Sequence, residues 1–362
     1  MQEIKRVLMI LHTPVNSIYG ASKSFRAHYD LLHEKYDFEV LSQLSLRKKN
    51  QDLKYTEGVF LVLRNALGFT FRSRENIFTL FKFVFGIIYL PNLLAKVIKA
   101  DIIHLNSLTL VLYAPLLKIL FPRKEIICHV REILTRYEYI TNKCLNSADK
   151  IVCIDRSVMG SLSINEEDKV YVVSNPVIIK RENKQFNLDS ENYVTIGVVG
   201  RLSKEKKTIE VLEYIKSCSY KSEKPVIVYI VGGAGADTLY YNNCRAVMES
   251  LPNVHYLGEV DNLESTNFYE QLDCLLRFDD HYSIGRTILE AINFGVNIYT
   301  EKDVSKLLGT EKVYCSSRFY SLENNETFFF EQKDRSGGDN NRQFTEHTNK
   351  VYINSFLEKI YG

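Results

Sequence analysis

The sequence predicts an α/β protein made of two doubly wound domains, and three observations carry that expectation. Its 362 residues are about twice the ~150 typical of one domain. Short β-branched runs alternate with stretches of helical periodicity over nearly the whole chain, the pattern of parallel sheets covered on both faces. That alternation breaks once, after Asn175-Pro176, where residues 179 to 192 turn polar and charged as a linker would.

In the first half, strands are expected at Val7 to Leu11, Ile102 to Leu105, Ile126 to Val130, Ile151 to Ile154 and Val170 to Val173. Helical periodicity marks Ala21 to Glu34, Glu75 to Ala100, Thr109 to Leu120 and Arg156 to Leu162. The second series places strands at Val194 to Val199, Val226 to Val231, Val254 to Leu257, Cys274 to Arg277 and Val296 to Tyr299. Its helices are expected near Thr208 to Lys216, Thr238 to Glu249 and Thr287 to Phe294. The polar, glycine-containing Gln332 to Arg342 reads as a loop before an amphipathic helix, Thr348 to Tyr361, with Val351, Phe356, Leu357 and Ile360 as its apolar stripe.

Composition excludes several classes. Hydrophobic residues at 45% and charged residues at 25% rule out a disordered or collagen-like chain. The net charge of +2 gives no bulk field for nucleic acid, so no nucleic-acid partner is expected. It conceals an asymmetry, because residues 1 to 180 carry 25 Lys+Arg against 17 Asp+Glu while residues 181 to 362 carry 21 against 27. Seven scattered cysteines without a CxxC pair suggest neither a disulfide framework nor a zinc site, and read as reduced, mostly buried thiols. Met1 to Arg6 run straight into a strand-like segment without a cleavage site, and the longest uncharged runs fall short of the ~20 residues that span a bilayer. The expected location is therefore cytoplasmic.

In doubly wound folds ligands sit beyond the carboxyl ends of the strands, which points to three loops. Leu11 to Ala21 passes from a strand into a helix opening at Gly20-Ala21, a place where backbone N–H groups can approach an anion. The full GxGxxG fingerprint is absent there, and Gly232-Gly233-Ala234-Gly235 matches it only partly, which disfavours a nicotinamide enzyme. Gly200-Arg201 ends a strand and is followed by Lys204, Lys206 and Lys207, four cations suited to a phosphate dianion. In Arg277 to Gly295, Gly285, Arg286 and Thr287 open a helix that carries Glu290 about one turn in, where a carboxylate suits ribose hydroxyls.

Together these loops resemble the retaining glycosyltransferases of family 4, which have the GT-B fold of two Rossmann-like domains facing across a cleft. The likeness runs through Gly20-Ala21, Asp101-Ile102-Ile103-His104, Ala148 to Val152, Val173-Ser174-Asn175, Gly200-Arg201 with Lys206, Val231-Gly232, Leu257-Gly258, and Gly285-Arg286-Thr287 with Glu290-Ala291 and Gly295. It implies an acceptor-side domain of residues 1–178, with 344–362 crossing back onto it, and a donor-binding domain of residues 179–343. It also implies metal-independent, retaining transfer of a sugar from a nucleotide-diphosphate donor, uridine or guanosine, with no bound cofactor. Arg201 and Lys206 would neutralise the leaving diphosphate, helped by Gly285, Arg286 and Thr287. Glu290 would hold the ribose, Leu257 to Val260 (Gly258 and Val260 among them) would line the base, and Gly20 and Ala21 would meet the donor from the other side. His129 would lie beside the donor sugar, whereas His104 lacks the second histidine of its family counterpart and reads as structural.

The sequence departs from that family at one position that matters. The family's first glutamate, eight residues before the second, is Tyr282 here, and Phe278 and Asp279 replace a proline and a serine. Sugar recognition has then passed to Asp279, Asp280 or His281, or catalysis is lost and the chain is a nucleotide-sugar binding protein. The basic and aromatic residues between Arg47 and Lys99 suit contact with an anionic membrane, where the acceptor would be a saccharide or polyprenyl-linked saccharide of a capsule or lipopolysaccharide.

Overall fold

The apolar run Arg6–Ile10 forms the first strand, β1, and it is central because every side chain after Arg6 is buried. In the computed structural model, the described residues are 4–15, 20–43, 55–58, 74–135, 137–180, 184–217, 222, 224–235, 237–279, 283–308, 316–322, 330–333 and 338–362. The chain divides into two units, Met1–Pro176 with Asn349–Gly362 and Val177–Thr348. The sequence places the divisions at 178/179 and 343/344.

The first unit holds a seven-stranded parallel sheet in the order β3-β2-β1-β4-β5-β6-β7. Its strands are β1, β2 (Asp37–Gln43), β3 (Tyr55–Gly58), β4 (Ile102–Leu105), β5 (Glu125–Val130), β6 (Lys150–Cys153) and β7 (Val170–Val172). Helices α1 (Gly20–Leu32), α2 (Arg74–Lys99), α3 (Tyr113–Leu120), α4 (Glu138–Leu145) and α5 (Arg156–Gly160) connect them. The two-residue period of β1 sends Leu8 and Ile10 into one core, with Val97, Leu110 and Leu117. Val7 goes to the opposite core, with Tyr352, Phe356 and Tyr361 from the end of the chain.

The second unit holds a six-stranded parallel sheet in the order β10-β9-β8-β11-β12-β13. Its strands are β8 (Val194–Val199), β9 (Val226–Val231), β10 (Val254–Gly258), β11 (Cys274–Arg277), β12 (Asn297–Thr300) and β13 (Phe319–Ser321). Helices α6 (Thr208–Ser217), α7 (Thr238–Glu249), α8 (Phe268–Gln271) and α9 (Arg286–Ile292) cover it, and α10 (Gly338–Asn354) leads back to the first unit.

Several expectations need correction. The helix expected from Thr109 to Leu120 is a 3-10 turn, Leu108–Leu110, capped by the Ser107 hydroxyl, followed by α3. Pro115 is tolerated because it falls in the first turn of α3, where backbone N–H groups have no helical partner. The loop expected over Gln332 to Arg342 gives way to helix from Gly338. At the chain end the stripe is displaced, because α10 passes into a π-helical turn, Ser355–Ile360, that changes the angular period. Val351 is exposed and Leu357 only partly buried, while Tyr352, Phe356, Ile360 and Tyr361 are buried. Five cysteines, Cys128, Cys144, Cys153, Cys244 and Cys274, are buried and unpaired, and burial pushes the Cys128 thiol up to about 12.

Candidate functional site

In the second sheet β8 turns to β9 on one side and to β11 on the other, so the topological switch point lies between β8 and β11. Their pairing is brief, Ile196 with Cys274 and Gly197 with Leu275. Beyond it the two carboxyl ends part. Val199, Gly200, Arg201, Lys206, Leu276 and Arg277 line the small cavity that opens there.

Glycine shapes the walls. The Gly200 N–H donates to Val231 O at 2.9 Å, and Leu202 N–H to Gly233 O at 2.9 Å, so the loop after β8 runs against the loop after β9. A Cβ on Gly232 would overlap the Gly200 carbonyl, so no other residue allows that approach. Gly258, at φ +77°, accepts from Gly232 N–H at 2.8 Å and ends β10 in a conformation that side chains rarely adopt. Val260 and Leu257 follow as partly buried residues against the core.

The four cations of the second loop do not form one cluster. Lys204 reaches Asp237 at 2.9 Å, and Lys207, held at φ +44°, reaches Glu301 at 2.9 Å. Lys206 turns into the crevice and meets Asp279 at 2.5 Å, and Arg201 lines the crevice beside it. Asp279 gives its other oxygen to the Arg277 guanidinium, which donates to Thr287 Oγ1 at 3.1 Å. That guanidinium packs so closely on Gly285 that a Cβ there would collide with it. Burial and the nearby Arg277 hold the Lys206 ammonium below its ordinary value, against the opposing pull of Asp279.

Residues 179–317 match the family model for glycosyl transferases group 1.

That stretch contains the whole β8–β11 crevice. No functionally curated protein matches the chain in sequence. Among solved structures it is similar to HepE from Anabaena in complex with UDP and glucose, at 12% identity and a TM-score of 0.58, over 99% of this chain and 91% of that one. It is also similar to sucrose-phosphate synthase from Thermosynechococcus elongatus, at 12% identity and a TM-score of 0.65, over 99% and 98%. A pneumococcal O-GlcNAc transferase, GtfA, in complex with UDP and GlcNAc, has 10% identity and a TM-score of 0.57 over 99% and 93%. At such identities the likeness is one of fold, and the fold is GT-B: two Rossmann-like units with parallel sheets.

Within the group 1 region, α9 begins at Arg286 with Gly285 as its N-cap. Glu290 is buried, one oxygen 3.1 Å from Arg286 Nε and the other accepting from the Tyr269 hydroxyl at 3.3 Å. The expectations for Asp280, His281 and Tyr282 lie outside the described residues.

In the first unit the switch point lies between β1 and β4. There Gly20 and Ala21 open α1, whose first turn is tied to the end of β1 by Ser22 Oγ donating to Pro14 O at 2.8 Å. Nearby lies a buried circuit that sequence reasoning missed. Arg131 Nη2 lies 3.3 Å from His129 Nδ1, and a guanidinium only donates, so Nδ1 accepts. His104 Nε2, 3.3 Å from the same nitrogen, therefore carries a proton, and its Nδ1 accepts from the Tyr361 hydroxyl at 2.5 Å. Tyr361 accepts from His28 Nε2 at 3.0 Å, His28 Nδ1 accepts from the Tyr352 hydroxyl at 2.6 Å, and Tyr352 accepts from Arg131. One donor-only group thus sets three tautomers.

His129, expected beside the donor sugar, is part of this buried circuit. Its ring is 1% exposed, packs against Phe356 and has its Nε2 buried without a protein partner among the described residues. Burial, Arg131 and the other two histidines hold its pKa well below the ordinary value. His104 is likewise buried, and desolvation brings it to about 3. Arg277 was legible only as the last residue of β11; a cation closing an otherwise apolar strand, two residues before an aspartate, was the available signal.

Proposed function

We propose that this chain is a retaining glycosyltransferase that moves a sugar from a nucleotide-diphosphate donor to a saccharide or lipid-linked saccharide acceptor in surface polysaccharide synthesis. The observation that carries the reading is the convergence of Arg201, Lys206 and Arg277 on the β8–β11 crevice, inside the stretch that matches the group 1 model. When the glycosidic bond of the donor breaks, negative charge grows on the departing diphosphate. Cations held in place beforehand stabilise that charge with little reorganisation, a contribution of about 10² to 10³ in rate per group. Arg201 and Lys206 take this role, side-chain charge standing where other enzymes use a metal. Glu290 holds the ribose, and Leu257 to Val260 line the base. The UDP complexes of HepE and GtfA support a uridine donor.

Acceptor and membrane contact form the finer part of the proposal. Of the basic and aromatic segment proposed for the bilayer, residues 47–54 and 59–73 lie outside the described residues. On α2, Ile87 and Ile88 are 51% and 65% exposed, which supports an apolar contact there. No described helix is long and apolar enough to cross a membrane.

The second reading, a nucleotide-sugar binding protein without turnover, is favoured by Tyr282 at the family's first glutamate position. Incubation with a panel of UDP- and GDP-sugars separates the two. Release of nucleoside diphosphate supports the transferase, whereas binding without release over hours supports the binding protein and overturns the proposal.

A further inference from the structure

Asp279 is the one carboxylate recorded against both Lys206 and Arg277 among the described residues, with one oxygen given to each cation. The two cations differ in freedom. Arg277 is nearly enclosed, fixed by Thr287 and packed on Gly285. Lys206 keeps 40% of its side chain exposed, on a flexible stem beside Gly200, and it lines the same cavity as Arg201. Two positive charges and one negative leave the constellation with a surplus of +1, so a ligand carrying two or more negative charges complements it better than the carboxylate alone does.

We propose that Asp279 is a built-in counter-anion that competes with the donor's diphosphate for Lys206, so that binding transfers Lys206 from carboxylate to phosphate while Arg277 retains Asp279. This rests on the donor-site reading above and adds a regulating residue to it. The transfer follows from the geometry. Lys206 has the freer side chain, and Asp279 stays neutralised after losing it, since its second oxygen remains on Arg277. Desolvation first and the neighbouring Arg277 second lower the Lys206 ammonium pKa, against the pull of Asp279.

The test is calorimetric titration of the intact protein with UDP, inorganic pyrophosphate and uridine. Asp279→Asn keeps the shape and a hydrogen-bond acceptor for Arg277 but removes the competing charge, so UDP and pyrophosphate should bind about tenfold tighter while uridine is unchanged. In the Lys206→Met background the same substitution should produce less than about a twofold gain, because the competition runs through the ammonium. Asp279→Ser serves if the asparagine variant loses its circular dichroism spectrum. Unchanged or weaker UDP binding in Asp279→Asn overturns the proposal, as does a tenfold gain that survives without Lys206. If the unaltered protein binds neither UDP nor pyrophosphate, the donor-site reading itself fails, a result distinct from both.

Discussion

The hydroxyl of Tyr361 donates to Nδ1 of His104 at 2.5 Å, joining residues 257 apart in sequence inside a core that excludes solvent. The same oxygen accepts from His28, so one phenol satisfies two imidazoles. Tyr361→Phe keeps the ring and removes both bonds. It should cost about 1–3 kcal/mol, the penalty of stranding buried polar groups, and lower the melting temperature measured by circular dichroism. An unaltered melting temperature would show that the circuit contributes nothing to stability.

Acid should loosen the first unit before it reaches the carboxylates. His28, His104 and His129 are buried with folded pKa values below 6.5, so between the two values the unfolded chain binds more protons. Their stabilisation is complete above pH 6.5 and declines as the pH falls from 6.5 toward the folded values, about 3 for His104. Each contributes a slope of up to about 1.4 kcal/mol per pH unit in that window. The urea midpoint should be lower at pH 5 than at pH 7, and long-range ¹H–¹⁵N spectra at pH 7 should report a proton on Nε2 of all three rings.

Arg201→Ala and Lys206→Ala should each lower sugar transfer by about 10² to 10³ while leaving the melting temperature within a few degrees. Lys206 and Arg201 border a crevice rather than a core, so their loss removes charge and little packing. Full transfer by either variant sinks the assignment of the leaving-group site.

Gly232→Ala should act on the donor loop from a distance. The added methyl cannot coexist with the Gly200 carbonyl, so the Gly200–Arg201 peptide must move. Loss of UDP binding together with a fall in thermal stability is expected, both measurable by thermal shift with and without nucleotide.

Side-chain neutralisation also makes a prediction about metals. If Arg201 and Lys206 take the place of a divalent ion as proposed, transfer should survive dialysis against a chelator with less than about a twofold change in rate. A rate restored only by added magnesium or manganese would replace them with a metal.

Much of the fold was readable because the central strands are unbroken apolar runs. Val226–Val231 is buried at all six positions, and such a run admits few alternatives. β2, β3 and β13 were not anticipated. Asp37 and Glu39 interrupt the pattern of β2, and half-buried Glu39 pairs with Lys96 of α2, a partner that local periodicity cannot reveal. The loops around the β8–β11 crevice were legible from glycine and cation spacing, but their internal wiring was not. Lys204, Lys206 and Lys207 are adjacent in sequence and choose three different carboxylates, at Asp237, Asp279 and Glu301, a choice made by strand order. The histidine circuit was invisible for the same reason, since His28 and Tyr352 meet across 324 residues.

The first unit takes its core residues Tyr352, Phe356, Ile360 and Tyr361 from a segment that the chain reaches only after the second unit. During synthesis the strands of the second unit, β8 to β13, are therefore all translated before those residues. Until they arrive, the nascent first unit carries an open apolar seam and three imidazoles without their phenolic partners. Vectorial synthesis thus reverses the order of completion, since the segment that closes the first unit follows the whole of the second.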